Sequence, residues 1–128
     1  MTAFSVTVYY EDTDALGIVY HANYLKYLER ARTHYLKSLG FDLHTLYTND
    51  GMGFVVRKMD IQFLKPAHLN DQLIVKTDIA IRKPTRSEWQ QTIWRDDALI
   101  TQANSEIICI GAKGKPQALP QQLSDALS

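Results

Sequence analysis

The hydrophobic period of this chain changes once, near Asn23, and that change limits the possible folds more than any other feature. Before it, apolar and polar residues alternate, which predicts a β-strand with one face formed by Phe4, Val6, Val8 and Tyr10. After it, apolar residues recur every three or four positions, which predicts one long helix with a stripe of Leu25, Leu28, Ala31, Tyr35 and Leu39. Asn23 is the predicted cap of this helix, and Gly40 the predicted left-handed residue at its end.

Four further runs of alternating residues predict strands at 55–63, 73–81, 87–94 and 99–110. The last two runs are joined only by the short turn at Asp96-Asp97, which predicts an antiparallel hairpin. Residues 41–46 are expected to add a short helical turn. One long helix that buries its apolar stripe on a mostly antiparallel sheet is an α+β arrangement, so we predict a single α+β domain over residues 1–128.

Charge and cysteine content argue against several classes of protein. The 14 basic residues equal the 14 acidic ones, and a formal net charge of zero disfavours nucleic-acid binding. Cys109 is the single cysteine, so it cannot form an internal disulfide, and no metal-ligand spacing relates it to the histidines. No secretory leader is visible, nor an apolar run of the roughly 18 residues that cross a bilayer. We therefore expect a soluble, cytoplasmic protein without a metal, membrane insertion or a nucleic-acid partner.

Residues 9–24 combine a strand end, an acidic turn, a glycine and a helix start. The first N–H groups of a helix have no intrahelical partner and favour developing negative charge. A carboxylate placed just before them, at Asp12 or Asp14, supplies a base or nucleophile beside donors for an oxyanion, which is the equipment for acyl transfer. The alternative is that both acids are turn residues stabilised by the helix dipole.

Several stretches of the sequence together resemble one enzyme family. They are YYEDTDALGIVYHANY at 9–24, YLERAR at 27–32, GFVVRKM at 53–59 and KPQALP at 115–120. This pattern is similar to the hotdog-fold acyl-CoA thioesterases of the 4-hydroxybenzoyl-CoA thioesterase group, in particular to the YbgC type associated with the Tol–Pal locus. The resemblance implies a curved antiparallel sheet wrapped around a long central helix. It also implies homodimers or homotetramers with active sites at the subunit interface.

The resemblance further implies hydrolysis of acyl-CoA without a cofactor, since coenzyme A is part of the substrate, and acyl carrier protein is a possible partner. The family's catalytic acid lies three residues before the motif glycine, which here makes Asp14, before Gly17, the nucleophile or the general base. Backbone N–H groups near His21 would polarise the thioester carbonyl. His21 would orient water or substrate, or else pack at the helix start, and Asp12 is the second choice for the base.

Other residues of the same pattern are candidates for substrate binding. Tyr10, Gly17, Val19 and Tyr20 are expected along the acyl pocket, although aromatic residues at a strand end also commonly belong to a core. The basic side chains available for the CoA phosphates are Arg57, Lys83 and Arg86, which otherwise form a solvated surface. Glu29 is expected to form a helical charge pair with Lys26 or Arg32.

Two other functions compete with hydrolysis. One is a protein that binds acyl-CoA or acyl carrier protein with little turnover. The other is a hotdog hydratase, which is disfavoured because no His–Asp or His–Glu pairing of the kind those enzymes use is visible. Acyl chain length cannot be inferred from the residues.

Overall fold

A computed structural model describes residues 2–127, and within them the chain forms five strands, three α-helices and one 3₁₀ turn. In chain order the elements are β1 (Thr2–Thr7), the 3₁₀ turn (Tyr10–Asp12), α1 (His21–Ser38), α2 (Leu43–Asp50), β2 (Gly53–Phe63), β3 (Gln72–Arg82), β4 (Arg86–Arg95), β5 (Ala98–Ile110) and α3 (Gln121–Ala126). No helix in this range is both long and apolar enough to cross a membrane.

The five strands form one antiparallel sheet in the order β1-β3-β4-β5-β2, so β1 and β2 are its edges. Alternate residues of β4 are buried on the side that faces α1, including Trp89, Gln91 and Ile93. The helix contributes Leu28 and Ala31 to the same core. This arrangement confirms the predicted α+β fold, with the long helix packed on one face of a sheet.

The helix α1 confirms the predicted stripe only in part. It begins at His21, two residues before the predicted cap, and its buried face includes Tyr24 and Tyr27, whereas Leu25 is largely exposed. The prediction was wrong at this end of the helix because it chose Leu25 for the stripe, whereas the rings of Tyr24 and Tyr27 occupy the buried face. Gly40, at φ +89°, has the predicted left-handed conformation after the helix end.

Three local expectations need correction. The first strand ends at Thr7 and does not reach Tyr10, because the chain turns there into the 3₁₀ turn and leaves Tyr10 83% exposed. The predicted turn near residues 41–46 is a two-turn helix, α2, whose start is capped by Asp42 through the N–H of Thr45. The helix α3 has no counterpart in the prediction, since a six-residue helix with one fully buried residue, Leu123, gives little periodic signal.

Candidate active site

A tight hairpin between Thr13 and Val19 carries the predicted catalytic acid. Thr13 pairs with Val19 as an antiparallel bridge, and the N–H of Asp14 donates to the carbonyl of Ile18 at 2.9 Å. At the tip, the N–H of Gly17 donates to the carbonyl of Asp14 at 3.0 Å, and Gly17 adopts φ +77°. Such a φ strains any residue with a Cβ, so glycine is the residue that this turn requires.

The side chain of Asp14 is half-buried and only partly engaged. Its Oδ1 accepts the N–H of Leu16 at 2.8 Å, which fixes the direction of the carboxylate. Within residues 2–127, its Oδ2 accepts no hydrogen bond. One carboxylate oxygen is therefore held in place while the other is available to a substrate or a water molecule.

Asp12 is oriented differently from Asp14, because its side chain is turned inward. It is 9% exposed, and its Oδ2 accepts the N–H of Tyr9 at 2.9 Å. Its backbone carbonyl accepts two further hydrogen bonds at 2.9 Å, from the N–H of Tyr20 and from Nδ2 of Asn23. Asp12 thus joins the segment before the hairpin to the start of α1. Asn23 is not the helix cap that the sequence predicts, since its side chain bonds back to this carbonyl.

A buried hydroxyl lies beside Asp12. Burial raises the pKa of Tyr27, and the adjacent carboxylate of Asp12 raises it further, so Tyr27 stays protonated at neutral pH. Its hydroxyl is buried beside the carboxylate of Asp12. This environment favours a structural function for Asp12, and it leaves Asp14 as the more accessible of the two acids.

His21 is the first residue of α1 and lies at the surface. Its ring packs against Tyr20, with centroids 4.6 Å apart, and against the edge of Phe63 at 5.8 Å. The cap residue Tyr20 makes no side-chain hydrogen bond to the helix. The N–H groups of His21 and Ala22 have no acceptor among residues 2–127, so they remain available to an oxygen that gains negative charge.

The remaining predicted pocket residues separate into two groups. Gly17 and Tyr20 lie on the same continuous segment as Asp14 and His21. Val19 is only 4% exposed and packs in the core, while Tyr10 projects into solvent. The structure therefore places Gly17 and Tyr20 together with Asp14 and His21 on one segment at the surface. Val19 lies beneath this segment, and Tyr10 lies beside it.

The helical charge pair predicted for Glu29 is not formed within residues 2–127. Glu29 accepts the hydroxyl of Thr33 at 2.8 Å, one turn further along α1. Arg32 instead turns inward and donates to Oε1 of Gln91 at 3.0 Å, where burial lowers the pKa of its guanidinium. The prediction was wrong because it treated Arg32 as a surface residue.

A groove of about 630 Å³ brings together the three basic residues that the sequence selected for phosphate binding. Arg57, Lys83 and Arg86 line it, together with the apolar side chains of Val55, Ile108, Ile110 and Pro116. The register of β2 against β5 shifts between Val56 and Lys58, so Arg57 is the extra residue of a β-bulge. This groove offers cations above an apolar floor, which suits a molecule with both phosphates and a flat ring.

Sequence reasoning missed Glu106, which lies beside this groove and contacts two of the arginines that line it. Its Oε1 accepts hydrogen bonds from Arg57 Nη2 at 2.8 Å and from Arg86 Nη1 at 3.1 Å. Burial raises the pKa of this carboxyl, but the hydrogen bonds and charges of the two arginines lower it by more, and it lies below the ordinary value. No motif contains Glu106. Only the pairing of β5 with β2 and β4 could have revealed its position.

Two other reactive possibilities find no support. No group of three or more His, Cys, Asp or Glu side chains is placed to hold a metal ion between residues 2 and 127. Burial raises the pKa of the Cys109 thiol to about 11, so this residue is a poor nucleophile at neutral pH.

Comparisons with known proteins agree with the arrangement of these elements. Residues 16–101 match the family model described as the thioesterase superfamily. The chain is 39% identical over 125 residues to an acyl-CoA thioesterase, YbgC, of Haemophilus influenzae, covering 97% of this chain and 92% of that protein. A probable thioesterase from Bartonella henselae is 37% identical, with a TM-score of 0.89 and coverage of 93% and 98%. A hypothetical protein from Aquifex aeolicus, 24% identical, has the same fold over the full length of both chains, with a TM-score of 0.94.

Proposed function

The chain belongs to the thioesterase superfamily and has its hotdog fold, and from that premise we propose a mechanism for its acyl-CoA thioesterase activity. The reaction adds water to an acyl-CoA and releases a carboxylic acid and free CoA. We assign the central step to Asp14. The observation that carries this assignment is the free Oδ2 of a carboxylate whose other oxygen is fixed, on a hairpin that leads directly into α1.

Asp14 has two available routes to the same products. As a nucleophile, its Oδ2 bonds to the thioester carbon, the C–S bond breaks with release of CoA thiolate, and water then hydrolyses the mixed anhydride. As a general base, it accepts a proton from the water that attacks the carbon, the C–S bond then breaks, and the proton passes to the released CoA thiolate. Either route develops negative charge on the carbonyl oxygen, which the N–H groups of His21 and Ala22 would stabilise. His21 would orient the attacking water or the substrate.

The groove lined by Arg57, Lys83 and Arg86 is the proposed site for the nucleotide part of CoA. Guanidinium groups bind phosphate oxygens through two parallel hydrogen bonds, and the apolar floor suits the face of an adenine ring. The three cations against the single carboxylate of Glu106 leave the groove positive. Gly17 and Tyr20 would contact the acyl group near the hairpin, with Val19 supporting them from the core.

A second copy of the chain is the proposed way to complete the site. The strand β2 is a sheet edge of 11 residues, and it carries exposed apolar side chains at Val55, Val56 and Phe63. On one chain the groove lies at one end of β2, while His21 packs on Phe63 at the other, roughly 20 Å away for six residues of strand. Antiparallel pairing of two β2 edges about a two-fold axis would bring the β2 end that carries one copy's groove opposite the β2 end that carries its partner's Phe63 and His21. We therefore propose a homodimer, or a tetramer built from two such dimers.

Membership of the thioesterase superfamily is also the basis for proposing where the enzyme acts and which other substrates it takes. We propose that the enzyme acts in the cytoplasm, in connection with the Tol–Pal system, and that acyl carrier protein thioesters are possible substrates besides acyl-CoA. Both substrates present the same thioester bond. The competing function, binding of acyl-CoA with little turnover, is not favoured, because the relatives with these motifs are thioester hydrolases by name.

The test of Asp14 is release of free thiol from a panel of acyl-CoAs by the purified protein and its Asp14→Asn variant. We expect kcat to fall by roughly 10²- to 10⁴-fold, the range that acid–base groups commonly supply. Asp97→Asn, in the exposed turn between β4 and β5, is the matched control and should stay within about twofold of the wild type. A loss smaller than about tenfold in Asp14→Asn would refute its catalytic role. Label from H₂¹⁸O found in the Asp14 carboxylate after one turnover would distinguish the nucleophile from the base.

A further inference from the structure

Glu106 lies beside the groove and contacts two of the arginines that line it. It lies on β5 between the strands that carry Arg57 and Arg86, and it accepts a hydrogen bond from each of them on the same oxygen. Its side chain is 13% exposed, against 61% for Arg57 and 34% for Arg86. The carboxylate therefore lies beneath the two guanidinium groups, which it ties together across three adjacent strands.

The two residues that face Glu106 from the neighbouring strands carry opposite charges, and Lys58 on β2 is one of them. Directly opposite Glu106 in the register of β4 lies Glu88, and like charges facing each other across a strand pair are destabilising. A neutral residue would remove that repulsion. Besides Lys58, the two arginines compensate the charge of Glu106 through hydrogen bonds, and we therefore examine how Glu106 affects their placement.

We propose that Glu106 is a positioning residue that holds the guanidinium groups of Arg57 and Arg86 in a fixed orientation for the phosphates of CoA. This inference rests on the proposed function, in which the groove binds the nucleotide. A guanidinium carries five N–H donors, and Glu106 takes one from each arginine, so most donors stay available to phosphate oxygens. Glu106 would not contact the substrate.

Two opposing effects decide whether Glu106 raises or lowers the affinity of the groove for the phosphates of CoA. Immobilising a flexible side chain on binding lowers affinity by about two- to tenfold, and Glu106 removes part of that loss for two arginines. Its negative charge repels phosphate, but this repulsion is weakened by the solvent and salt that reach an open groove. The three cations that line the groove still outnumber the one carboxylate. Orientation of the arginines is therefore expected to exceed the repulsion.

The test compares two substrates that share one acyl group, the acyl-CoA and the corresponding N-acetylcysteamine thioester, which lacks the nucleotide. In Glu106→Gln the size and an acceptor oxygen remain while the charge is lost. We expect the ratio of kcat/KM for acyl-CoA to that for the short thioester to fall about tenfold, through a higher KM for acyl-CoA. Because the ratio cancels any loss of folded enzyme, it does not depend on how stable the variant is. Glu88→Gln, on the facing position of β4, is the matched control and should keep the wild-type ratio.

Arg57→Ala and Arg86→Ala separate the failure of this inference from failure of the groove assignment. If both arginine variants lower the ratio while Glu106→Gln keeps or raises it, the positioning role is wrong and the groove remains the nucleotide site. If neither arginine variant lowers the ratio, the groove does not bind the nucleotide, and the positioning role is refuted with it. A tenfold lower ratio in Glu106→Gln alongside both arginine variants supports the proposal.

Discussion

The hairpin with Asp14 and the groove with Arg57 and Arg86 position their charged groups by different means. In the hairpin, backbone hydrogen bonds over seven successive residues fix the acid, and glycine supplies the one unusual φ angle. In the groove, side chains from three strands meet only because the sheet pairs β2 and β4 with β5. The hairpin is ordered mainly by bonds between neighbouring residues, with the loop at Ala67 and His68 as its long-range support, whereas the groove needs a side chain such as Glu106 to order it.

After the loss expected in Asp14→Asn, the next largest effect tests how firmly the hairpin is tied to the helix. Asn23→Asp removes the N–H donor to the carbonyl of Asp12 while keeping the size of the side chain. We expect kcat to fall by about ten- to a hundredfold with little change in KM, because the position of Asp14 relative to the start of α1 is lost. Steady-state kinetics and thermal unfolding measure the two effects separately.

If Asn23 has only a structural role, the substitution Asn23→Asp should leave kcat at the wild-type value. A new negative charge in the first turn of α1 interacts favourably with the helix dipole, so the unfolding temperature of Asn23→Asp should not decrease much. Asn104→Asp, on the exposed face of β5, is the control variant. Wild-type kcat in Asn23→Asp would show that the hydrogen bond to Asp12 does not position the acid.

The next effect should appear in the groove and leave the hairpin intact. Arg86→Ala removes one phosphate ligand, so KM for acyl-CoA should rise about tenfold while kcat stays within twofold. Because the interaction is electrostatic, KM of the wild type should also rise with salt, and less steeply in the variant. Arg30→Ala, on the exposed face of α1, provides the comparison. A fall in kcat with constant KM would mean that the two regions are coupled.

A smaller effect concerns stability and the backbone of the hairpin. Gly17→Ala places a Cβ at φ +77°, where space is open but the backbone is strained, so the free energy of unfolding should drop by about 1 kcal/mol. Gly53→Ala, at the start of β2, also meets open space and has no such φ, so a slight gain in stability is expected there. Urea unfolding of both variants checks the difference. Equal changes would indicate that Gly17 is not constrained by its turn.

The smallest expected effect is a dependence of stability on pH. Asp71 supports the loop whose Ala67 carbonyl accepts the N–H of Val19, and its Oδ2 accepts the N–H of His68 and Arg95 Nη1. Burial raises its pKa, but these hydrogen bonds and the charge of Arg95 lower it by more, to below the ordinary value.

A pKa depressed by folding adds stability above the unfolded value of about 3.9, and that stability is lost as the pH falls through the folded value. Asp71→Asn should therefore be less stable than the wild type at pH 7, by about 1 kcal/mol or less. The gap should close below about pH 4. Denaturant unfolding at both pH values measures it, and a constant gap would contradict the assignment.

The sequence predicted the parts of this molecule that depend on local order. The alternation that defines β2 to β5, the turn at Asp96-Asp97 and the left-handed Gly40 were all found close to their predicted positions. The residues from Asp14 to His21 likewise form one continuous segment, a hairpin followed by the start of α1. In each case the residues that determine the structure are neighbours in the chain, so a single sequence contains the required information.

The features that were missed depend on contacts between distant residues. Asparagine is a common helix cap, but the side-chain amide of Asn23 is oriented by its hydrogen bond to the carbonyl of Asp12. The sequence predicts Arg32 at the surface, but its side chain turns inward and donates a hydrogen bond to Gln91 of β4. Glu106 belongs to no motif, and its function in the groove depends on strand order and on a bulge in β2. Such placements follow from tertiary packing, which periodicity and propensity do not describe.

The bulge at Arg57 affects how the edge strand β2 interacts with other proteins. An edge strand of 11 residues with exposed valines can pair with strands of other proteins, which is a common origin of aggregation. A bulge increases the local twist and interrupts the regular ladder, and a charged residue at that point disfavours a flat apolar neighbour. The bulge and its charge therefore reduce the tendency of the β2 edge to pair with strands of unrelated proteins.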